Sequence, residues 1–142
     1  PRHPNEARGA IFGLTRDTGP GDIVAAALEA VAFQTADLLD AMAADSSALT
    51  ALRVDGGMVT NDFFCQQLSD LTGLAVDRPL VTETTAMGAA ILAGLSAGWF
   101  GSLEEAADFR SDGRLFTARM AGPDRTRHRA RWAGAVERIL SR

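Results

Sequence analysis

The sequence predicts an α/β fold in which the strands of a thin parallel sheet alternate with helices. Three observations predict it. Short apolar runs bounded by turn residues recur at Gly9–Leu14, Leu49–Val54 and Leu74–Val76. Helical periodicity fills the stretch that follows each run. The resulting order of strand, helix, strand, helix, strand, helix is that of parallel strands joined by right-handed crossovers. A chain of 142 residues makes one domain, and 46% hydrophobic with 23% charged residues is the balance of a folded globular chain.

Each element has its own warrant. Pro1–Glu6 reads as a connecting segment cut from something longer. Gly9–Leu14 is expected to be a buried strand. Asp17-Thr18-Gly19-Pro20-Gly21-Asp22 is dense in turn and helix-start residues. Beyond it Val24, Leu28, Val31, Thr35, Leu38 and Met42 mark one core-facing side of a long helix over about Asp22–Ala44, ended by Asp45-Ser46-Ser47. The second strand, Leu49–Val54, runs into Asp55-Gly56-Gly57. A helix from about Met58 or Asn61 to Leu71 follows, with Gly73 past its end. Pro79 stops the third strand, because a proline cannot sit in the middle of a sheet. Thr84-Thr85 is expected to cap a small-residue helix from Ala86 to about Ala97, closed by Gly98. Gly88, Ala89, Ala90, Ala93 and Gly94 on it are expected to pack closely against the long helix or the sheet. Leu103–Arg110 reads as a short helix and Arg114–Thr117 as a small strand. Asp124–Leu140 reads as a terminal helix with Trp132, Val136, Ile139 and Leu140 on its apolar side. Three strands leave a sheet edge open, so a partial domain is expected, and self-association into a homo-oligomer is an option at that edge.

Composition removes several kinds of chemistry. All 14 basic residues are arginines, which excludes a phosphate-loop lysine, a Schiff-base lysine and a lysine general base within this chain. His3, His128 and the single Cys65 do not make a zinc ligand spacing, so no metal site is expected. One cysteine cannot form an intramolecular disulfide, which points to a reducing, cytoplasmic setting. No secretory signal can be read at the start, and no apolar run approaches the ~18 residues of a membrane span, so no membrane partner is expected. The net charge of −4 argues against a nucleic-acid partner. Seven arginines do crowd the last 24 residues (Arg119, Arg125, Arg127, Arg129, Arg131, Arg138 and Arg142), but only one aromatic residue, Trp132, falls among them rather than an interleaved set, and a solvated helix face is the favoured reading.

The residues best placed for chemistry follow the second strand. In an open α/β sheet, ligands sit at the carboxyl ends of strands. Gly56 and Gly57 would let a ligand approach the backbone, and the following helix start offers free N–H groups. Asn61 lies one helical turn beyond Gly57, with an amide able to donate and accept at an adenine edge or a ribose hydroxyl. On spacing alone, a plain strand-to-helix turn remains the favoured reading. Asp17, Asp22, Asp55 and Asp62 are candidate bases or metal carboxylates, with Asp55 nearest the glycines. Glu29 lacks an identifiable partner. Glu83-Thr84-Thr85 reads as a cap before it reads as a second ligand edge. Cys65 reads as a small helix-face residue rather than a nucleophile.

These residues also carry a resemblance. Ala7-Arg8-Gly9-Ala10-Ile11-Phe12-Gly13-Leu14-Thr15-Arg16, Ala26-Ala27-Leu28-Glu29, Ala32-Phe33-Gln34-Thr35, Leu52-Arg53-Val54-Asp55-Gly56-Gly57-Met58 with Asn61, and Glu83-Thr84-Thr85-Ala86-Met87-Gly88-Ala89-Ala90 resemble the FGGY family of carbohydrate kinases. Arg8-Gly9, Gly13–Arg16 and Ala32–Thr35 together point to its glycerol-kinase branch. The likeness runs from about Ala7 to Leu140 and is most specific up to Gly94. It implies a ribonuclease H-like (actin-like ATPase) half-domain: an entry segment at 1–8, an α/β core at 9–100 and a C-terminal extension at 101–142. It implies the use of ATP, ADP and Mg²⁺, with Gly57 and Asn61, and Gly56 beside them, at the adenosine part of the nucleotide. Glu83 and Thr84 would support the fold. It also implies that the catalytic aspartate and the glycerol pocket lie upstream, so that this segment is inactive alone. The alternatives are another FGGY sugar kinase, or a non-catalytic actin-like interaction module.

Overall fold

The computed structural model describes residues 8–43, 49–107 and 113–141. The long helix α1 spans Pro20–Ala43. Its start is built from the turn residues ahead of it. The Gly19 N–H donates to the Asp22 carboxylate at 2.8 Å, which satisfies a donor that the first helical turn leaves orphaned. Pro20, with no N–H to satisfy, occupies the first helical position. The expected helix end at Asp45-Ser46-Ser47 lies outside the described residues.

Strand β1 (Ala51–Arg53) leads through a 3-10 turn (Gly57–Thr60) into helix α2 (Asp62–Thr72), and the chain returns as β2 (Ala75–Arg78). Gly73 ends α2 in the left-handed region (φ 78°), and its N–H donates to the Ser69 carbonyl at 2.8 Å. A residue with a Cβ is strained there, and that Cβ would also meet the Arg125 guanidinium. After β2 come α3 (Thr84–Ser96), α4 (Leu103–Ala107), β3 (Arg114–Phe116) and α5 (Gly122–Leu140). Gly98 closes α3, its φ of 75° allowing the Trp99 N–H to reach back to the Gly94 carbonyl at 2.8 Å.

The sheet has three strands in the order β1-β2-β3. β1 and β2 are parallel, with Leu52 opposite Val76, and β3 runs antiparallel to β2, with Phe116 opposite Val76. Val76 is therefore covered from both neighbouring strands and fully buried. α2 crosses from β1 to β2 and lays Phe64, Cys65, Leu68 and Leu71 into the core with Val59, Val76, Phe116 and Ala32 of α1.

α5 is tied to α1 and α2. Phe33 of α1 and Trp132 of α5 stack with ring centroids 5.1 Å apart, and the Trp132 Nε1–H donates to Asp37 at 2.6 Å. Arg129 pairs with Asp37 and Asp40. Arg125 donates to the Asp70 carbonyl at 2.6 Å, while the Asp70 carboxylate accepts from the Arg119 and Met120 N–H groups. Arg127 pairs with Asp124 within α5. Arg125 and Arg129 thus tie α5 to α2 and α1.

The structure corrects several expectations. Residues 8–14 form no strand: the segment is exposed, and no described backbone pairs with it. A strand needs a hydrogen-bonded neighbour, which an apolar run cannot supply by itself. The sheet is mixed rather than parallel, because its third strand is Arg114–Phe116. The buried stripe of α1 is Ala32 and Ala36, whereas Val24 and Leu38 are 60% and 59% exposed. Leu28 and Val31 of the expected side do pack against the core, together with Phe33, while the small Ala32 and Ala36 let α2 approach closely. Thr84 and Thr85 lie inside α3, whose N-cap is Glu83 with no side-chain capping bond. Ala89, Ala90 and Ala93 are exposed, while Gly94 receives the Phe100 ring.

Candidate functional site

Because β1 and β2 are parallel, the segments leaving them emerge at the same end of the sheet. The Val54 N–H donates to the Asp77 carbonyl at 3.2 Å, and the Gly56 N–H donates to the Thr82 carbonyl at 3.0 Å. The Thr84 hydroxyl donates to the Asp55 carboxylate. The segments that follow β1 and β2 are therefore laced together side by side. Gly56 has φ 89° and ψ 175°, a conformation that only glycine adopts without strain. It turns the chain into the 3-10 turn, whose first residue is Gly57. A Cβ built on Gly57 would meet nothing within 4 Å, so this stretch of backbone faces open space.

Asn61 closes the turn and opens α2. Its Oδ1 accepts from the N–H groups of Phe63 and Phe64 at 2.9 and 3.3 Å. This corrects the expectation of an amide that both donates and accepts toward a ligand. The oxygen is committed to the helix start, and Nδ2 is the group left to act as a donor.

Asp62 is the next residue, and two arginines converge on it. Arg78 Nη1 donates to its carboxylate at 2.8 Å, and Arg114 from β3 also pairs with it. Both guanidinium groups lie over the Phe116 ring, at 5.2 and 4.7 Å from its centroid. The Arg78 hydrogen bond, with further help from Arg114, holds the Asp62 carboxyl below the usual aspartate range against a smaller opposing effect of desolvation. A depressed folded pKa gives stabilisation that is complete above the unfolded value, about 3.9, and is lost as pH falls through the folded value. The stability difference between wild type and Asp62→Asn is thus expected to be largest near neutral pH and to shrink below about pH 4. Urea denaturation at several pH values measures it, and a difference unchanged from pH 7 down to pH 2 contradicts it.

Comparison with known proteins shows the family. The profile described as the FGGY family of carbohydrate kinases, C-terminal domain, matches residues 1–97. The chain belongs to the FGGY family of carbohydrate kinases. It is 57% identical over 137 residues to the glycerol kinase of Rhodospirillum rubrum, covering 96% of this chain and 28% of that relative. To the glycerol kinase of Alcanivorax borkumensis it is 54% identical over 134 residues, covering 94% of this chain and 27% of the relative. The crystal structure of Plasmodium falciparum glycerol kinase with ADP matches with a TM-score of 0.83 at 36% identity, over 95% of this chain and 27% of that one. A xylulose kinase from Lactobacillus acidophilus shares the fold, with a TM-score of 0.73 at 19% identity over 95% of this chain and 28% of that one. The chain therefore spans under a third of the length of these relatives, and its fold is that of an actin-like kinase half-domain.

Within this FGGY chain the other candidate residues do not gather at one site. Asp17 is exposed on a turn and Asp22 caps α1. Glu29 lines a different cleft, of about 750 Å³, between residues 10–13, α1 and α5, along with Phe12, Phe33, His128 and Arg131. None of Gly56, Gly57 and Asn61 lines that cleft. Cys65 is buried; its thiol donates to the Val59 carbonyl at 3.1 Å, and burial pushes its pKa up, so it is no nucleophile. Among the described residues no helix is long and apolar enough to cross a membrane. Sequence reasoning missed Arg78, whose only local signal was its position before Pro79 at a strand's end.

Proposed function

We propose that this chain is the nucleotide-binding C-terminal portion of a glycerol kinase, which converts ATP and glycerol into ADP and glycerol 3-phosphate. Residues 9–100 are its α/β core, and 101–142 an extension that lends β3 to the sheet. Gly56, Gly57 and Asn61 receive the adenosine part of ATP or ADP. The catalytic aspartate and the glycerol pocket are supplied from outside these residues, so the segment is inactive alone. Phosphoryl transfer depends mainly on positioning and charge stabilisation, which half a cleft cannot provide. Mg²⁺ would enter with the nucleotide's phosphates. Among the described residues no group of three His, Cys, Asp or Glu side chains stands ready to hold it, and no step is assigned to it. A reducing, cytoplasmic setting suits the free thiol of Cys65. Among the described residues β1 is an edge strand, and a homo-oligomer could form along it.

The observation that carries this reading is the match, over 95% of the chain, to a glycerol kinase that holds ADP. The open glycine backbone at the carboxyl ends of two parallel strands supports it. Asn61 provides the test. Asn61→Asp keeps the oxygen that caps α2 and removes the Nδ2 donor. Asn61→Ala removes both, at about 0.5–2 kcal/mol of stability. Calorimetric titration with Mg-ADP is expected to show about tenfold weaker binding for Asn61→Asp, ~1.4 kcal/mol, at an unlowered melting temperature. Equal affinity for wild type and Asn61→Asp overturns the role of Asn61. No binding by the folded wild-type chain overturns the nucleotide reading.

A further inference from the structure

The side chain of Arg78 reaches two carbonyls of the Gly57–Asn61 turn. Arg78, at the last position of β2, is only 16% exposed at its side chain. Its Nη1 donates to the Val59 carbonyl at 2.9 Å, to the Thr60 carbonyl at 3.2 Å and to Asp62 at 2.8 Å. Val59 and Thr60 are the last residues of the 3-10 turn, and the next residue is Asn61. Carbonyls at such a helix junction have no full set of helical partners, so a fixed cation beside them decides their direction.

Arg78 is itself fixed. The Phe116 ring lies beneath its guanidinium, and the Asp62 carboxylate, shared with Arg114, pairs with it. The planar fork can stack on the ring and still reach carbonyls at its rim, which a lysine ammonium cannot do in the same way. The Cys65 thiol also donates to the Val59 carbonyl, so the turn is clamped by two groups of which only one is charged.

We infer that Arg78 is a positioning residue for the nucleotide edge, holding Gly57 and Asn61 in register through the Val59 and Thr60 carbonyls without touching the nucleotide. The inference rests on the nucleotide reading proposed above. It assigns a binding effect to a residue on the neighbouring strand, and it gives β3 an indirect share in the site through Arg114 and Asp62.

The test uses the whole 142-residue chain with Mg-ADP. Arg78→Met keeps the apolar stem and removes every donor, and Arg78→Lys keeps the charge without the fork. Dissociation constants are measured by calorimetry at a temperature where each variant is folded. Amide chemical shifts of Gly57, Thr60 and Asn61 are recorded without ligand. Arg78→Met is expected to weaken binding about tenfold and to move those three amides, with Arg78→Lys intermediate. In an Asn61→Asp background the further loss from Arg78→Met is expected to be smaller than in wild type, because both changes act through one element. Leu92→Ala, an exposed change on α3, controls for unspecific effects and leaves the affinity unchanged. If wild type and Arg78→Met bind alike, or if the two losses simply add, the positioning role is overturned while the nucleotide reading stands. If wild type does not bind Mg-ADP, the nucleotide reading falls and this role falls with it. Should Arg78→Met fail to fold, Arg78→Lys decides on the same terms.

Discussion

Replacing Gly56 by valine is expected to abolish measurable Mg-ADP binding and to cost the chain about 1–3 kcal/mol of stability. The cause is conformational rather than steric crowding. A Cβ at this position meets nothing within 4 Å, but φ is 89° with ψ 175°. A β-branched residue cannot hold that conformation without strain, so the backbone must rotate. Rotation would break the Gly56 N–H bond to Thr82 and the Val59 N–H bond to Gly56, which together join the segment after β1 to the one after β2 and start the 3-10 turn. Gly57→Ala is the informative contrast. Gly57 is not at positive φ and has open space around it, so alanine is expected to leave stability unchanged or raised by about 0.4–1 kcal/mol. Under the proposed function it still weakens ADP binding, because the new methyl occupies the face that the nucleotide approaches. Urea denaturation and calorimetry on both variants separate the two effects. A Gly56→Val chain that binds ADP like wild type contradicts the expectation.

Leu71→Ala is expected to produce the largest loss of stability, about 2–5 kcal/mol. Leu71 is 1% exposed on α2, in the cluster that joins α2 to the sheet and α1. Truncation removes buried methyl groups and leaves a cavity that neighbours on two helices and a strand cannot readily close. The loss is a large share of the 5–15 kcal/mol that holds a typical domain together. Leu92→Ala on α3, where the side chain is 62% exposed, is expected to stay within about 0.5 kcal/mol. Denaturation midpoints at constant slope measure both. Equal losses at the two positions contradict the described core.

Several element boundaries were legible from local signals, although the Thr84-Thr85 cap was not. The turn residues before α1, Gly73 after α2, Gly98 after α3 and Pro79 after β2 each mark a boundary through their own backbone preferences. What failed depended on partners. Gly9–Leu14 has the composition of a strand, yet strand formation requires a neighbouring backbone, and none of the described residues provides one. Arg114–Phe116 was visible as a strand, but nothing in its three residues announces antiparallel pairing with β2. On α1, periodicity placed Leu28 and Val31 on the packed side but not Val24, Leu38 and Met42, and the fully buried positions are the small Ala32 and Ala36. The same division holds at the candidate site. Gly56, Gly57 and Asn61 could be placed from their position after a strand. Asn61's commitment to the helix start depended on the exact first residue of α2, which spacing left open between Met58 and Asn61. Arg78 acts across 16–19 residues of sequence, a distance at which spacing carries no information.

Amide NMR of the isotopically labelled chain, titrated with Mg-ADP, tests nucleotide binding at the carboxyl ends of β1 and β2 most directly. The predicted result is a saturable set of shifts centred on Gly56, Gly57 and Asn61, with Thr82 and Thr84 moving beside them. Shifts confined to Phe12, Phe33, His128 and Trp132 around the α1–α5 cleft, or no shifts at all in a folded sample, would contradict it.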